Sequence, residues 1–270
     1  MKKTLLLAFA SVVAIGAMPQ IALAQTAPAE PAAAPAEAAS PLSFNVSLTS
    51  DYRYRGISQT RLKPAIQGGA DYAFASGFYI GTWASTIKWI KDTEAANGID
   101  AKGSVELDLY GGYKGEIAKD FTYDVGVLSY VYPSNKYGDI PGAANANTTE
   151  IYGALTYGPA TLKYSHSVTN LFGFKDSKNS GYVDLSATFE VGPAIQLIPH
   201  IGYQKVAHYS DFSYTDYSFT VGKDFAGFFV SAAVVGADTK SINGTKAYAS
   251  PANGKDLGRT GFVVAVKKVF

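Results

Sequence analysis

Residues 42–49 alternate apolar and polar side chains without a break: Leu42, Phe44, Val46 and Leu48 against Ser43, Asn45, Ser47 and Thr49. A period of two marks a β-strand with two unlike faces. The alternation continues with Asp51, Arg53 and Arg55 on the polar side and Tyr52 and Tyr54 on the other, which predicts one strand over 42–55. The pattern returns along the chain. Ile66, Gly68, Ala70 and Tyr72 oppose Gln67, Gly69 and Asp71; Val105, Leu107 and Leu109 oppose Glu106, Asp108 and Tyr110. Val183, Leu185 and Ala187 oppose Tyr182, Asp184 and Ser186; Tyr217, Phe219 and Val221 oppose Asp216, Ser218 and Thr220.

Twelve strands are predicted, near 42–55, 64–75, 77–89, 103–114, 120–132, 148–157, 160–169, 180–190, 194–205, 214–225, 227–237 and 259–270. Their connections alternate between short turns, such as Gly158-Pro159, and longer polar stretches at 56–63, 90–102, 133–147, 170–179, 206–213 and 238–258. Short turns at one end and long loops at the other are the pattern of an outer-membrane barrel. The predicted fold is therefore all-β: a 12-stranded antiparallel transmembrane up-and-down β-barrel with short periplasmic turns and longer extracellular loops. About 10 residues per strand, at roughly 3.3 Å each and tilted about 45°, cover the apolar band of such barrels. Aromatics gather at predicted strand ends, with Tyr52, Tyr54, Trp89 and Tyr132 at the long-loop end and Phe74, Phe78, Tyr113, Phe121 and Phe189 at the other. Two interfacial belts would use them so. A soluble β-sandwich also alternates, but it explains neither the loop asymmetry nor the aromatic ends.

The N-terminus reads as an export signal over 1–24, with Lys2 and Lys3, an apolar run from Leu5 to Ala17 and cleavage expected after Ala24. Residues 25–41 are almost entirely Ala, Pro, Glu and Ser, an Ala/Pro-rich disordered tether in the periplasm. The barrel takes 42–270. Composition agrees: 47% hydrophobic residues, 19 Tyr, 15 Phe and 27 Gly suit strands and tight turns, and a net charge of +1 gives no basic field for nucleic acid. Cysteine is absent, which excludes disulfides, thiol nucleophiles and thiolate metal ligands.

Residues 45–59 (NVSLTSDYRYRGISQ) resemble the opening motif of the TorF-like porins, also called the Gcw_chp family of uncharacterised proteobacterial proteins. Residues 64–69 (PAIQGG), 77–85 (GFYIGTWAS) and 105–113 (VELDLYGGY) extend the likeness; Thr86 stands where the family commonly has Asn. The resemblance implies an outer-membrane pore of Gram-negative bacteria and supplies no catalytic residues. The ending 262–270 (FVVAVKKVF) resembles the C-terminal strand of outer-membrane proteins, in which Phe262, Val264, Val266 and Phe270 would be read by the barrel-assembly machinery.

Charge on a lipid-facing wall costs about 2–4 kcal/mol for a basic residue at mid-depth, so the strand charges are expected to face inward. Asp51, Arg53, Arg55, Asp71, Glu106, Asp108, Asp124, Glu150, Lys163, Asp184 and Asp216 are the expected pore lining. Arg53 and Arg55 would form a basic patch opposite a carboxylate-rich wall. The carboxylate excess favours weak cation preference, with the two arginines as a local anion contact. The same groups could instead pair with one another and plug the lumen. Loop 1 adds Arg61 and Lys63, which would meet anionic solutes or lipopolysaccharide, or belong to an ordinary solvated loop, while 238–258 reads as a mobile exterior loop. His166, His200 and His208 lack metal-ligand spacing, and no cofactor is expected. The chain is expected to be a porin for ions or small polar solutes and not an enzyme. Its expected partners are membrane lipid, lipopolysaccharide and the assembly machinery. Alternatives are a closed barrel displaying loops, or a lipid-acting enzyme.

Overall fold

The computed structural model describes residues 40–270; the expected export signal, its cleavage site and all but the end of the tether lie outside the described residues. Twelve strands run up and down: β1 (Leu42–Thr49), β2 (Ala65–Ala73), β3 (Phe78–Thr86), β4 (Val105–Ala118), β5 (Phe121–Val131) and β6 (Thr148–Tyr157). They continue as β7 (Ala160–Ser167), β8 (Gly181–Ala187, resuming over Phe189–Val191), β9 (Ile195–Lys205), β10 (Tyr214–Phe225), β11 (Phe228–Asp238) and β12 (Gly261–Val269). Each pairs antiparallel with its sequence neighbours, and β12 pairs with β1 from Asn45↔Val269 to Thr49↔Ala265. Phe44 and Phe270 exchange two backbone hydrogen bonds, 3.1 and 2.9 Å, at the lower end of that closing pair. The sheet is thus a closed barrel with no free edge. Stepping through the registers once around the barrel advances about 16 positions along β1, a shear that tilts the strands about 45° and gives a backbone radius of about 12 Å.

The alternation decides which way each side chain points. Leu48, Ile66, Ile80, Leu109, Val127, Leu155, Leu185, Phe219 and Val264 are all exposed on the outer wall. Their neighbours in sequence point inward, where Gln67, Ser85, Glu106, Asp108, Glu150, Gln204 and Asp216 are buried. This is the inversion that a lipid-facing barrel requires: apolar outside, polar within. No helix among the described residues is long and apolar enough to cross a membrane. Tyrosines fill much of the interior. The ring of Tyr182 lies where a Cβ on the inward-facing Gly202 would stand, so that position must be glycine for the ring to lie along the wall.

The structure corrects several expectations at the loop end. The first strand stops at Thr49 instead of 55, because the chain turns into the barrel there. Tyr52, Tyr54 and Tyr132 are buried inside the molecule and do not form an interfacial belt. The third strand ends at Thr86, and Trp89 begins a short helix, α1 (Trp89–Ala96), in the second long loop. At the short-turn end the aromatics do lie on the outside. Phe74, Phe78 and Phe189 are exposed, and Phe78 packs edge-on to Tyr113 at 4.9 Å. The last loop, expected to be a mobile exterior loop, is partly anchored: Leu257 packs with Ile57 and Tyr214, and Tyr248 stands edge-on to Tyr214 at 5.1 Å.

A basic side chain placed at mid-depth on the outer wall separates the two faces. Val127→Lys is expected to cost about 2–4 kcal/mol of stability in lipid, and Thr156→Lys on the inner wall far less. Reversible unfolding of the two variants in bilayers checks the difference.

Candidate pore and its inward-folded first loop

Every residue from Asp51 to Thr60 is buried. Loop 1 therefore lies inside the barrel, against the upper wall. It forms a small hairpin in which Arg53–Tyr54 pairs with Ile57–Ser58. The two turn residues, Arg55 and Gly56, have φ of 45° and 77°. A two-residue hairpin turn with both φ positive has a twist that matches paired strands, and glycine is favoured at its second position. Gly56 is further constrained by close approach: an added Cβ would sit 2.7 Å from both the Asp216 Cβ and the Gly236 carbonyl oxygen.

Two arginines anchor the hairpin. Arg53 donates from Nε to Asp51 Oδ2 at 2.5 Å, and from Nη1 to the carbonyl oxygens of Gly56, Leu257 and Arg259 at 2.9, 3.0 and 3.1 Å. Asp51 also accepts from Ser58 Oγ at 2.5 Å and Thr60 Oγ1 at 3.1 Å. A buried ion pair is tolerated when its remaining donors and acceptors are satisfied in this way. Arg55 reaches the opposite wall, donating to Glu150 Oε2 at 2.7 Å and Gln204 Oε1 at 2.5 Å. Its guanidinium stacks 4.2 Å from the Tyr182 ring centroid and 4.8 Å from that of Tyr54. Burial works against the Arg55 charge, but Glu150 and the neighbouring tyrosines outweigh it and hold its pKa above the ordinary arginine value. Tyr52 donates to Glu106 Oε1 at 2.5 Å and Tyr54 to the Tyr130 hydroxyl at 2.8 Å. Arg61, at the loop's outer end, is paired with Asp92 of α1, whose hydrogen bond raises the arginine's pKa.

Below the hairpin the inner wall carries a descending series of polar groups. Tyr182 donates to both carboxylate oxygens of Asp216, at 3.1 and 3.0 Å. His200 Nε2 lies 2.6 Å from Asp184 Oδ2, and Asp184 stands directly across from Lys163 in the β7–β8 register. The Lys163 ammonium sits 4.2 Å over the Tyr152 ring. Tyr152 and Tyr79 share a hydrogen bond, Tyr79 donates to Asp124 at 2.6 Å, and Asp124 lies 3.7 Å from the Lys114 ammonium. Asp71 accepts from Tyr110 nearby.

The eleven candidate residues thus fall in three groups. Asp51, Arg53 and Arg55 belong to loop 1 and not to the first strand. Glu106, Asp108, Glu150 and Asp216 are buried around the hairpin, while Asp71, Asp124, Lys163 and Asp184 are half-buried lower in the lumen. Both guanidiniums of the expected basic patch are already paired with carboxylates. Phe262, Val264, Val266 and Phe270 are exposed on the outer wall. Sequence reasoning missed Tyr79, Tyr130, Tyr152, Gln204 and His200 as lining groups. Their signal was their phase: each sits on the same face as a neighbouring strand charge. Among the described residues no group of three His, Asp or Glu side chains is placed to hold a metal ion.

The geometry has counterparts. The family model described as a bacterial protein of unknown function, Gcw_chp, matches residues 33–270. No curated protein matches the chain. Among solved structures, the KdgM porin superposes with a TM-score of 0.50 at 8% identity, covering 85% of this chain and 98% of that one. A KdgM porin in complex with disordered oligogalacturonate gives 0.51 at 9% identity, with the same coverage. These likenesses concern the barrel fold.

Arg53→Ala would strand the Asp51 carboxylate and three carbonyl oxygens. It is expected to cost about 3–5 kcal/mol, the range for breaking one side of a buried ion pair. Gly56→Ala is expected to destabilise the same hairpin through strain and contact. Urea unfolding in lipid, followed by tryptophan emission, measures both.

Proposed function

The chain belongs to the Gcw_chp family of bacterial proteins of unknown function, and we propose that it is an outer-membrane porin passing ions or small polar solutes through a narrow, charged lumen. The observation that carries this reading is the pairing of an apolar outer wall with a charged inner one in a closed barrel. In this reading residues 1–24 direct export and 25–41 tether the barrel on the periplasmic side. Loop 1 is the constriction. The eleven charged residues named above line the path: Asp51, Arg53 and Arg55 at the hairpin, with Glu106, Asp108, Glu150 and Asp216 around it, then Asp71, Asp124, Lys163 and Asp184 below.

Charge sets the direction of selectivity. Around the hairpin five carboxylates face two guanidiniums, and both guanidiniums are paired. Rings of carboxylates favour cations. The same field opposes an anionic chain such as the oligogalacturonate bound by one of the similar barrels, so cations and neutral solutes fit better here. A second reading is supported by the burial of all of 51–60: a barrel closed by loop 1, displaying its outer loops.

Planar-bilayer recordings of the refolded protein under a potassium chloride gradient test both readings. Discrete steps with a cation-selective reversal potential are expected. Deleting residues 53–58 is expected to raise the conductance severalfold. Silence in the unaltered protein with conduction in the deletion would favour the closed barrel, and silence in both folded proteins would overturn the porin reading.

A further inference from the structure

Two lysines interrupt the apolar outer wall at the short-turn end. Lys223 on β10 is in phase with Tyr217, Phe219 and Val221, and Lys268 on β12 with Phe262, Val264 and Val266, all of them exposed. The register sets the two lysines on either side of the β10–β11 turn: Phe225 stands across from Phe228, and Phe228 across from Lys268. The Lys223 ammonium lies 5.3 Å from the Phe225 ring centroid, and that of Lys268 lies 4.8 Å from the Phe228 centroid. The Lys268 ammonium also reaches Gly227 in the turn, where an added Cβ would stand 2.7 Å from Nζ. Both side chains thus lay their stems on the wall and carry their charge toward the turn. The carboxylate of Asp224, one residue out of phase with Lys223, accepts from the Gly227 amide at 2.8 Å. Among the described residues neither ammonium joins an ion pair.

We propose that Lys223 and Lys268, flanking the Phe225–Phe228 pair, bind the phosphate of an anionic phospholipid in the leaflet on the short-turn side. Charge complementarity names the ligand. The two ammoniums carry only donors, and a phosphodiester carries only acceptors. A basic side chain near the membrane interface costs little, and its attraction to anionic lipid is a gain. The exposed rings of Phe225, Phe228 and Phe270 offer apolar surface beside the charges, which suits a headgroup joined to acyl chains better than a free phosphate. The inference rests on the outer-membrane reading proposed above, which places this end of the wall at the periplasmic interface. Its test is a binding measurement that needs no conduction.

Native mass spectrometry of the refolded protein, titrated in non-ionic detergent with phosphatidylglycerol or phosphatidylcholine, counts the lipid bound. Tighter retention of phosphatidylglycerol is expected. Each lysine near an anionic lipid surface is worth roughly a factor of five, so Lys223→Gln with Lys268→Gln is expected to weaken phosphatidylglycerol by about tenfold or more. Lys178→Gln with Lys255→Gln removes two exposed loop lysines and is expected to leave the preference unchanged. Equal retention of the two lipids by the unaltered folded barrel overturns the site, whether or not the Lys223 and Lys268 variant folds. Equal affinity for glycerol phosphate, which has no acyl chains, overturns the lipid assignment in favour of free phosphate. A lipid preference in a barrel that proves electrically silent would keep the site and remove the porin reading. A conducting barrel without the preference would do the opposite.

Discussion

Hydrocarbon offers no partner to a backbone amide or carbonyl, so a sheet that crosses a membrane must satisfy every such group within itself. That requirement forces β12 back onto β1 and fixes the rest of the architecture. Closure with this register tilts the strands and sets the radius. Strand length follows from the tilt, and the two-residue alternation follows from having lipid on one side of a single wall. Closure also creates a problem. A barrel of this radius encloses more space than the inner-wall side chains of small residues can occupy, and the space lies within a low-dielectric shell.

Tyrosines and loop 1 together meet that problem. The tyrosines supply bulk along the wall, with hydroxyls that bridge one charged group to the next. Loop 1 brings two guanidiniums into a region rich in carboxylates, where a rigid planar donor satisfies several oxygens at once. Arg53 serves mainly the hairpin itself and the last loop, whereas Arg55 ties the hairpin to β6 and β9. Asp108 is left outside this exchange, since the hydroxyl of its strand neighbour Tyr130 is engaged with Tyr54 and Glu150 instead.

The barrel is legible from the chain alone because the lipid constraint is local. Each strand must alternate by itself, so twelve segments, their inward charges and the outward Phe262, Val264 and Val266 can be read without knowing any partner. Loop 1 defeats the same reasoning for a related cause. Tyr52 to Arg55 keeps the period of two after the strand has left the sheet, and periodicity cannot tell a strand in the wall from a hairpin in the lumen. The clue is Gly56 directly after the alternating run, a turn signal at the end of a pattern that otherwise predicts one strand over 42–55. Helix α1 is hidden because Trp89 has the character of an interfacial aromatic. The ion pair of Arg55 with Glu150 depends on where the hairpin docks, and the facing of Asp184 and Lys163 on register between strands, neither of which a single segment encodes.

The grip on Arg53 comes from Leu257 and Arg259, which immediately precede β12, while the hairpin that carries Arg53 immediately follows β1. These are the two strands whose meeting zips the cylinder shut, and they come from opposite ends of the fold. The seam and the hairpin therefore share one fastening. A nascent barrel that sealed with the hairpin outside would lose the contacts that bind the two ends of its own seam. Seating the hairpin and sealing the wall are in this way coupled, through the carbonyls that one arginine holds.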